Sequence, residues 1–168
     1  YILKNYDGAY VRNVIHNFLP SISYGSLTSG SPSFRFYDGH AHDQAGNFLP
    51  FDSLGKLYGV IAALNSKFGI YLAGALSPTL NILIEDLGKI PIAIVEDSKV
   101  LSERMISAAK LDWNSYETSW EFSENPLVAN DRIEDGLSAT YDIVAKGWQE
   151  KTANMQRLEE ENNRLFID

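Results

Sequence analysis

The sequence predicts an α+β fold: a small mixed α/β region followed by a predominantly helical segment that closes on a long helix. Three observations predict it. Around a Ser/Gly-rich break, residues 21–37 alternate in the two-residue period of strands. Residues 52–76 repeat apolar side chains at three- and four-residue steps, the period of a helix. Beyond residue 95 the chain turns acidic and carries a heptad-like apolar seam.

Ile22 and Tyr24 alternate as a first strand until Ser29-Gly30-Ser31-Pro32-Ser33 interrupts them. Phe34-Arg35-Phe36-Tyr37 resumes the pattern with aromatic strand formers. Asp38-Gly39 signals a turn, and Gly46 and Pro50 punctuate the stretch after it. Asp52 or Ser53 is placed to cap a single helix through Leu57, Ile61, Leu64, Phe68, Tyr71 and Leu72, ending near Ser77-Pro78. Leu80 to Ile84 reads as a strand, residues 85–88 as a turn or short helix, and Ile90-Pro91-Ile92 as a short extended edge.

In the second half, Asp97 or Ser98 is expected to cap a helix that uses Val100, Leu101, Met105 and Ala108. Residues 111–126 read as a loop whose Trp and Tyr side chains pack onto the molecule. From about Asp131 a long helix aligns Tyr141, Val144, Trp148, Met155, Leu158 and Leu165, with Lys151 and Asn162 in polar slots. Packing on its own domain or parent protein is expected ahead of a self-associating coiled coil. The expected division is residues 1–95, an α+β region, and 96–168, a helical segment.

A chain of 168 residues that is 45% hydrophobic can bury a core. It has no cysteine, which excludes a disulfide scaffold and cysteine-ligated zinc and fits a reducing cytoplasm. The opening residues lack a signal-peptide layout, and both ends read as those of a piece of a longer protein. The longest apolar stretch is interrupted by Lys56, Asn65 and Lys67, so no membrane partner is expected. The net charge of −8 argues, taken whole, against nucleic acid. Its distribution changes that conclusion. Residues 1–95 hold six basic and six acidic side chains, whereas 96–168 hold eight basic and sixteen acidic. A DNA-facing surface is electrostatically possible only in the first half.

No Walker loop, G-x-G-x-x-G, G-x-S-x-G or H-E-x-x-H is present, and no catalytic residue is assigned. Asn125-Pro126-Leu127 begins like the Asn-Pro-Pro-aromatic motif of amino-methyltransferases, but lacks the second proline and the ring that stacks on a flipped base. His40 and His42, with Asp43, have the spacing for a shared metal, which would make the parent a metallohydrolase. A polar turn with incidental histidines is the preferred reading, and no metal residue is assigned. Carboxylate pairs such as Glu134/Asp135 and Glu159–Glu161 read as a solvated helix face.

Four segments, in order, resemble the BREX phage-defence adenine-specific DNA methyltransferases of the PglX type. They are residues 22–36, the run from Leu64-Asn65-Ser66-Lys67 through Ser77-Pro78-Thr79-Leu80-Asn81 to Ile90-Pro91-Ile92, the stretch 109–122 with Asp112-Trp113-Asn114-Ser115-Tyr116-Glu117-Thr118-Ser119-Trp120-Glu121-Phe122, and Glu161-Asn162-Asn163-Arg164-Leu165-Phe166-Ile167-Asp168. The stretch 113–122 is the most specific. The chain departs from the family at His40-Ala41-His42, where an apolar strand is usual. The resemblance implies part of a target-recognition region, with the S-adenosylmethionine site and the Asn-Pro-Pro-Tyr loop upstream. It implies no cofactor in this segment and double-stranded DNA as the parent's partner.

Within such a region Ser26, Thr28, Ser29 and Ser31 offer small hydroxyls that approach DNA closely, and Arg35 is placed to read guanine or hold a phosphate. Asn65, Ser66 and Lys67 are phosphate-contact candidates. Asn81 joins them, although Thr79 and Asn81 follow a helix end and suit turn stabilisation. Trp113, Tyr116 and Trp120 suit loop packing better than base stacking. The alternative function is a protein-interaction module that docks other defence-system proteins.

Overall fold

The computed structural model describes residues 14–41, 46–129 and 136–167. Its fold is α+β: a three-stranded antiparallel sheet against a group of helices, the last of them long. The strands are β1 (Ser21–Gly25), β2 (Phe34–Tyr37) and β3 (Gly46–Pro50), in the order β2-β1-β3. β1 is central, pairing Tyr24 with Phe34 on one side and with Asn47 on the other. The register puts Ile22, Tyr24, Phe34, Phe36 and Leu49 on one face, where they meet the helices, and Ser23, Arg35 and Phe48 on the other. β3 escapes the sequence pattern because Gly46 and Pro50 delimit it. Proline is tolerated at the end of an edge strand, where its missing N–H breaks no ladder.

Among the described residues five α-helices follow: α1 (Leu54–Asn65), α2 (Lys67–Leu76), α3 (Ile84–Leu87), α4 (Glu96–Trp113) and α5 (Leu137–Ile167). Ile22, Tyr24, Phe34, Leu57, Ile61, Leu64, Ile82 and Leu87 form the core. α1 lies at its centre, backed by α4, on which α5 packs in turn. Ser102 ties α4 to α1 by donating from its Oγ to the Tyr58 carbonyl at 2.8 Å. No single helix among the described residues is long and apolar enough to cross a membrane, and α1 with α2 reaches that apolar length only as a pair bent by 75°.

The single helix expected over 52–76 is broken. Ser66 has an extended backbone (ψ 155°), and its side chain caps α2 by accepting from Gly69 N at 3.0 Å. The apolar period runs through the break, so periodicity cannot show it. A close approach enforces it: a Cβ on Gly69 would lie 2.0 Å from the Ala63 carbonyl oxygen. The strand expected over 80–84 shrinks to one bridge, Leu27 to Asn81, and Ile84 already opens α3. Residues 90–92 form no strand. α4 begins at Glu96, after Val95, and Ser98 donates from its Oγ to the Val95 carbonyl at 2.6 Å instead of capping.

The described part of the long helix runs from Leu137, and the expected start near Asp131 lies outside the described residues. Its seam is half realised. Leu158 is buried, while Tyr141 and Trp148 remain exposed. Asn162, assigned to a polar slot, is buried at 2% exposure. It faces α1, donating from Nδ2 to the Ala62 carbonyl at 3.0 Å. The Trp/Tyr-rich loop does not pack onto the described molecule: Trp120 is wholly exposed, and Trp113 and Tyr116 are more than half exposed.

Candidate nucleic-acid interface

The loop joining β1 to β2, residues 26–33, is held from two sides. On one side its backbone bridges to the segment after α2. Thr28 N donates to the Leu80 carbonyl at 2.9 Å, and Ile82 N donates to that of Ser26 at 3.0 Å. Inside the loop the Thr28 hydroxyl pairs with both the N–H and the carbonyl of Gly30. Thr79 does the same around Asn81, holding the turn as its place after a helix end predicts.

On the other side stands Asn65, the last residue of α1. Its Oδ1 accepts from Phe34 N at 3.1 Å, and its Nδ2 donates to the Phe34 carbonyl at 2.8 Å. β2 is an edge strand, so these two backbone groups point away from β1 and need partners. The amide of Asn65 supplies both and acts as a one-residue neighbouring strand.

Three separate stretches of sequence therefore meet: the 26–33 loop, residues 79–82, and the α1/α2 corner at 65–67. Within this group the side chains differ in availability. Ser66 is fully buried, with its hydroxyl engaged by Ala63 and Gly69. Asn65 is committed to Phe34. Ser29 and Ser31 are exposed on the loop, and Asn81 is exposed beside it. Ser26 and Thr28 are half-buried.

Electrostatics singles out two residues. Among the described residues of the first half, Lys56 is ion-paired to Asp52 and Lys89 to Asp86. Arg35 and Lys67 have no ion pair with any described residue, and both are exposed. Arg35 follows Phe34 directly, on the sheet face away from the helices, and Lys67 lies two residues after Asn65, so the two cations flank the Asn65–Phe34 contact along the chain. Asn163 of α5 steadies this corner by accepting from Lys67 N at 2.7 Å. Sequence reasoning missed Asn162 and Asn163, although an Asn-Asn pair on an otherwise charged helix face is the signal that marks them.

The remaining candidates have local explanations. His40 meets Tyr37 edge-on, with ring centroids 5.4 Å apart, and His42 and Asp43 lie outside the described residues. No group of three metal-ligating side chains is found among the described residues. Asn125 accepts from Leu127 N at 2.9 Å through its Oδ1, an Asx turn that occupies the side chain. A groove at the α1/α2 corner, bordered by Phe68, Ile92, Val95 and Phe166, is lined by residues with apolar side chains.

Fold and site define a class: a small α+β unit whose exposed polar and cationic candidates lie in a surface loop and at the elements that anchor it. No family model matches the chain. Two curated proteins do. The adenine-specific methyltransferase PglX of Lacticaseibacillus casei (strain Zhang) is 30% identical over 171 residues, covering 98% of this chain and 14% of that protein. The adenine-specific methyltransferase BrxX of Escherichia coli O9:H4 (strain HS) is 37% identical over 92 residues, covering 54% of this chain and 8% of that protein. The chain belongs to the PglX-type BREX methyltransferases, of which it is a fragment.

Proposed function

We propose that this segment is part of the target-recognition region of a SAM-dependent adenine-N6 DNA methyltransferase, and that it positions and reads DNA without performing methyl transfer itself. The observation that carries this reading is the pair of exposed cations, Arg35 and Lys67, without ion partners among the described residues, on either side of the contact that anchors the 26–33 loop. A cation with no carboxylate partner is available to a phosphate or a guanine edge. In this reading residues 1–95 are the recognition region and 96–168 the helical segment. Ser29, Ser31, Arg35, Lys67 and Asn81 meet DNA, with Ser26 and Thr28 shaping the loop. Asn65 and Ser66, contact candidates by sequence, instead hold the surface in place. S-adenosylmethionine and the catalytic loop belong to the rest of the parent.

The test is a map of methylated adenines in cells carrying the full-length parent, compared with a version whose residues 22–50 come from a relative. A changed target motif with methylation retained is the expected result. Methylation at the original motif would place recognition elsewhere. It would favour the second reading, a module that docks other defence-system proteins, for which the exposed Leu137, Tyr141 and Ile143 on α5 speak.

A further inference from the structure

The turn after α4 is internally hydrogen-bonded, aromatic and uncovered among the described residues, and we propose that it is an anchor that docks into the flanking part of its own polypeptide, the portion of a PglX-type chain outside these residues. The inference rests on the reading of this chain as one segment of a longer methyltransferase. Polar groups knit the turn together. Asn114 donates from Nδ2 to Glu121 Oε2 at 2.8 Å, Lys110 pairs with Glu121 Oε1 at 2.9 Å, and the Ser119 hydroxyl donates to Asn114 Oδ1 at 2.7 Å. Successive backbone bonds from Ser115, Tyr116, Ser119 and Phe122 tighten it further. The rings contribute little to this framework. Trp113 and Tyr116 lie against each other, with centroids 6.5 Å apart, and Trp120 is 103% exposed.

A helix end and preformed turn that together present two indoles and a phenol have the composition of a protein-binding hot spot, because aromatic anchors held in place lose little freedom on docking. Its charge identifies the kind of occupant. Lys110 is spent on Glu121, which leaves Asp112, Glu117 and Glu124 without ion partners among the described residues. That rim repels phosphate and suits an apolar socket edged with Lys or Arg. The source follows from size: the chain spans 14% of the PglX and 8% of the BrxX it matches, so most of such a polypeptide is available to supply the socket.

Hydroxyl-radical footprinting of the full-length enzyme, with mass-spectrometric readout at Trp120, tests this. The reference is the same protein unfolded in urea. The expected result is modification at least tenfold slower in the native enzyme, with or without added duplex DNA and at every protein concentration. A native rate close to the unfolded one in the absence of DNA overturns the proposal, and protection that appears only with DNA assigns the rings to base stacking. Protection lost on dilution, in step with dissociation of a dimer, assigns them to a second copy and overturns it equally. Methylation by the same preparation reports on the segment reading separately: an active enzyme with an open Trp120 refutes only the docking.

Discussion

Replacing Asn65 by alanine distinguishes a structural amide from a DNA contact. The substitution removes two hydrogen bonds to Phe34, at 3.1 and 2.8 Å, and leaves the outward edge of β2 with an unpaired N–H and carbonyl. Each such bond contributes about 1 kcal/mol net, and an orphaned group that water cannot reach costs roughly 1–3 kcal/mol. Asn65 is half-buried, so water relieves part of the loss, and the total is about 2 kcal/mol. With a urea slope of about 2 kcal/mol/M the midpoint falls by ~1 M. Circular dichroism is the better probe, because Trp113 and Trp120 are already exposed and their emission changes little on unfolding. Asn65→Asp is the sharper variant. It keeps an acceptor for Phe34 N but sets a carboxylate oxygen against the Phe34 carbonyl, and should be at least as destabilised at neutral pH. An Asn65→Ala midpoint within ~0.3 M of the parent, less than about a third of the expected shift, would refute the edge-strand role and restore the amide as a DNA-contact candidate.

Gly69→Ala should destabilise despite a helix-propensity gain of about 1 kcal/mol, because its Cβ meets the backbone of Ala63 and Leu64 and not a flexible side chain. Gly74→Ala, with open space around it, should keep that gain, and a thermal melt that ranks the two the other way would refute the tight corner. Lys89 and then Ser77 hydrogen-bond the Asp86 carboxylate and hold its pKa below the ordinary 3.8. The contribution of Asp86 is therefore fully present above pH 3.8 and is lost as pH falls below it through the folded value. Asp86→Asn should flatten that part of the stability–pH curve, and an unchanged acid limb in urea titrations would exclude the linkage.

The paired strands were legible because Ile22, Tyr24, Phe34 and Phe36 alternate on both sides of an obvious break. The corner at Ser66 was not, because the sequence signals only a capping serine with Gly69 three residues on, and the apolar period hides both. Leu80 to Ile84 has strand composition, but among the described residues it pairs with the 26–28 backbone through a single bridge, so tertiary context overrode the local preference. At the site the residue types were readable and their duties were not. Asn65-Ser66-Lys67 looks like one polar contact run, yet one member braces a strand, one caps a helix and only the third exposes a side chain with no ion pair among the described residues. No local pattern distinguishes these duties, because the partners of Asn65 and Lys67 lie 31 and 96 residues away.

That separation has a consequence in time. The α1/α2 corner receives bonds from Asn163 and Asn162, which follow their partners by 96 and 100 residues. At a synthesis rate of about 5–20 residues per second, those asparagines emerge roughly 5–20 s after the corner itself. Throughout that interval the Lys67 N–H and the Ala62 carbonyl lack their α5 partners. The nascent chain can assemble the sheet and α1 early, but the surface that bears Lys67 reaches its final form only after the last turns of α5 have left the ribosome.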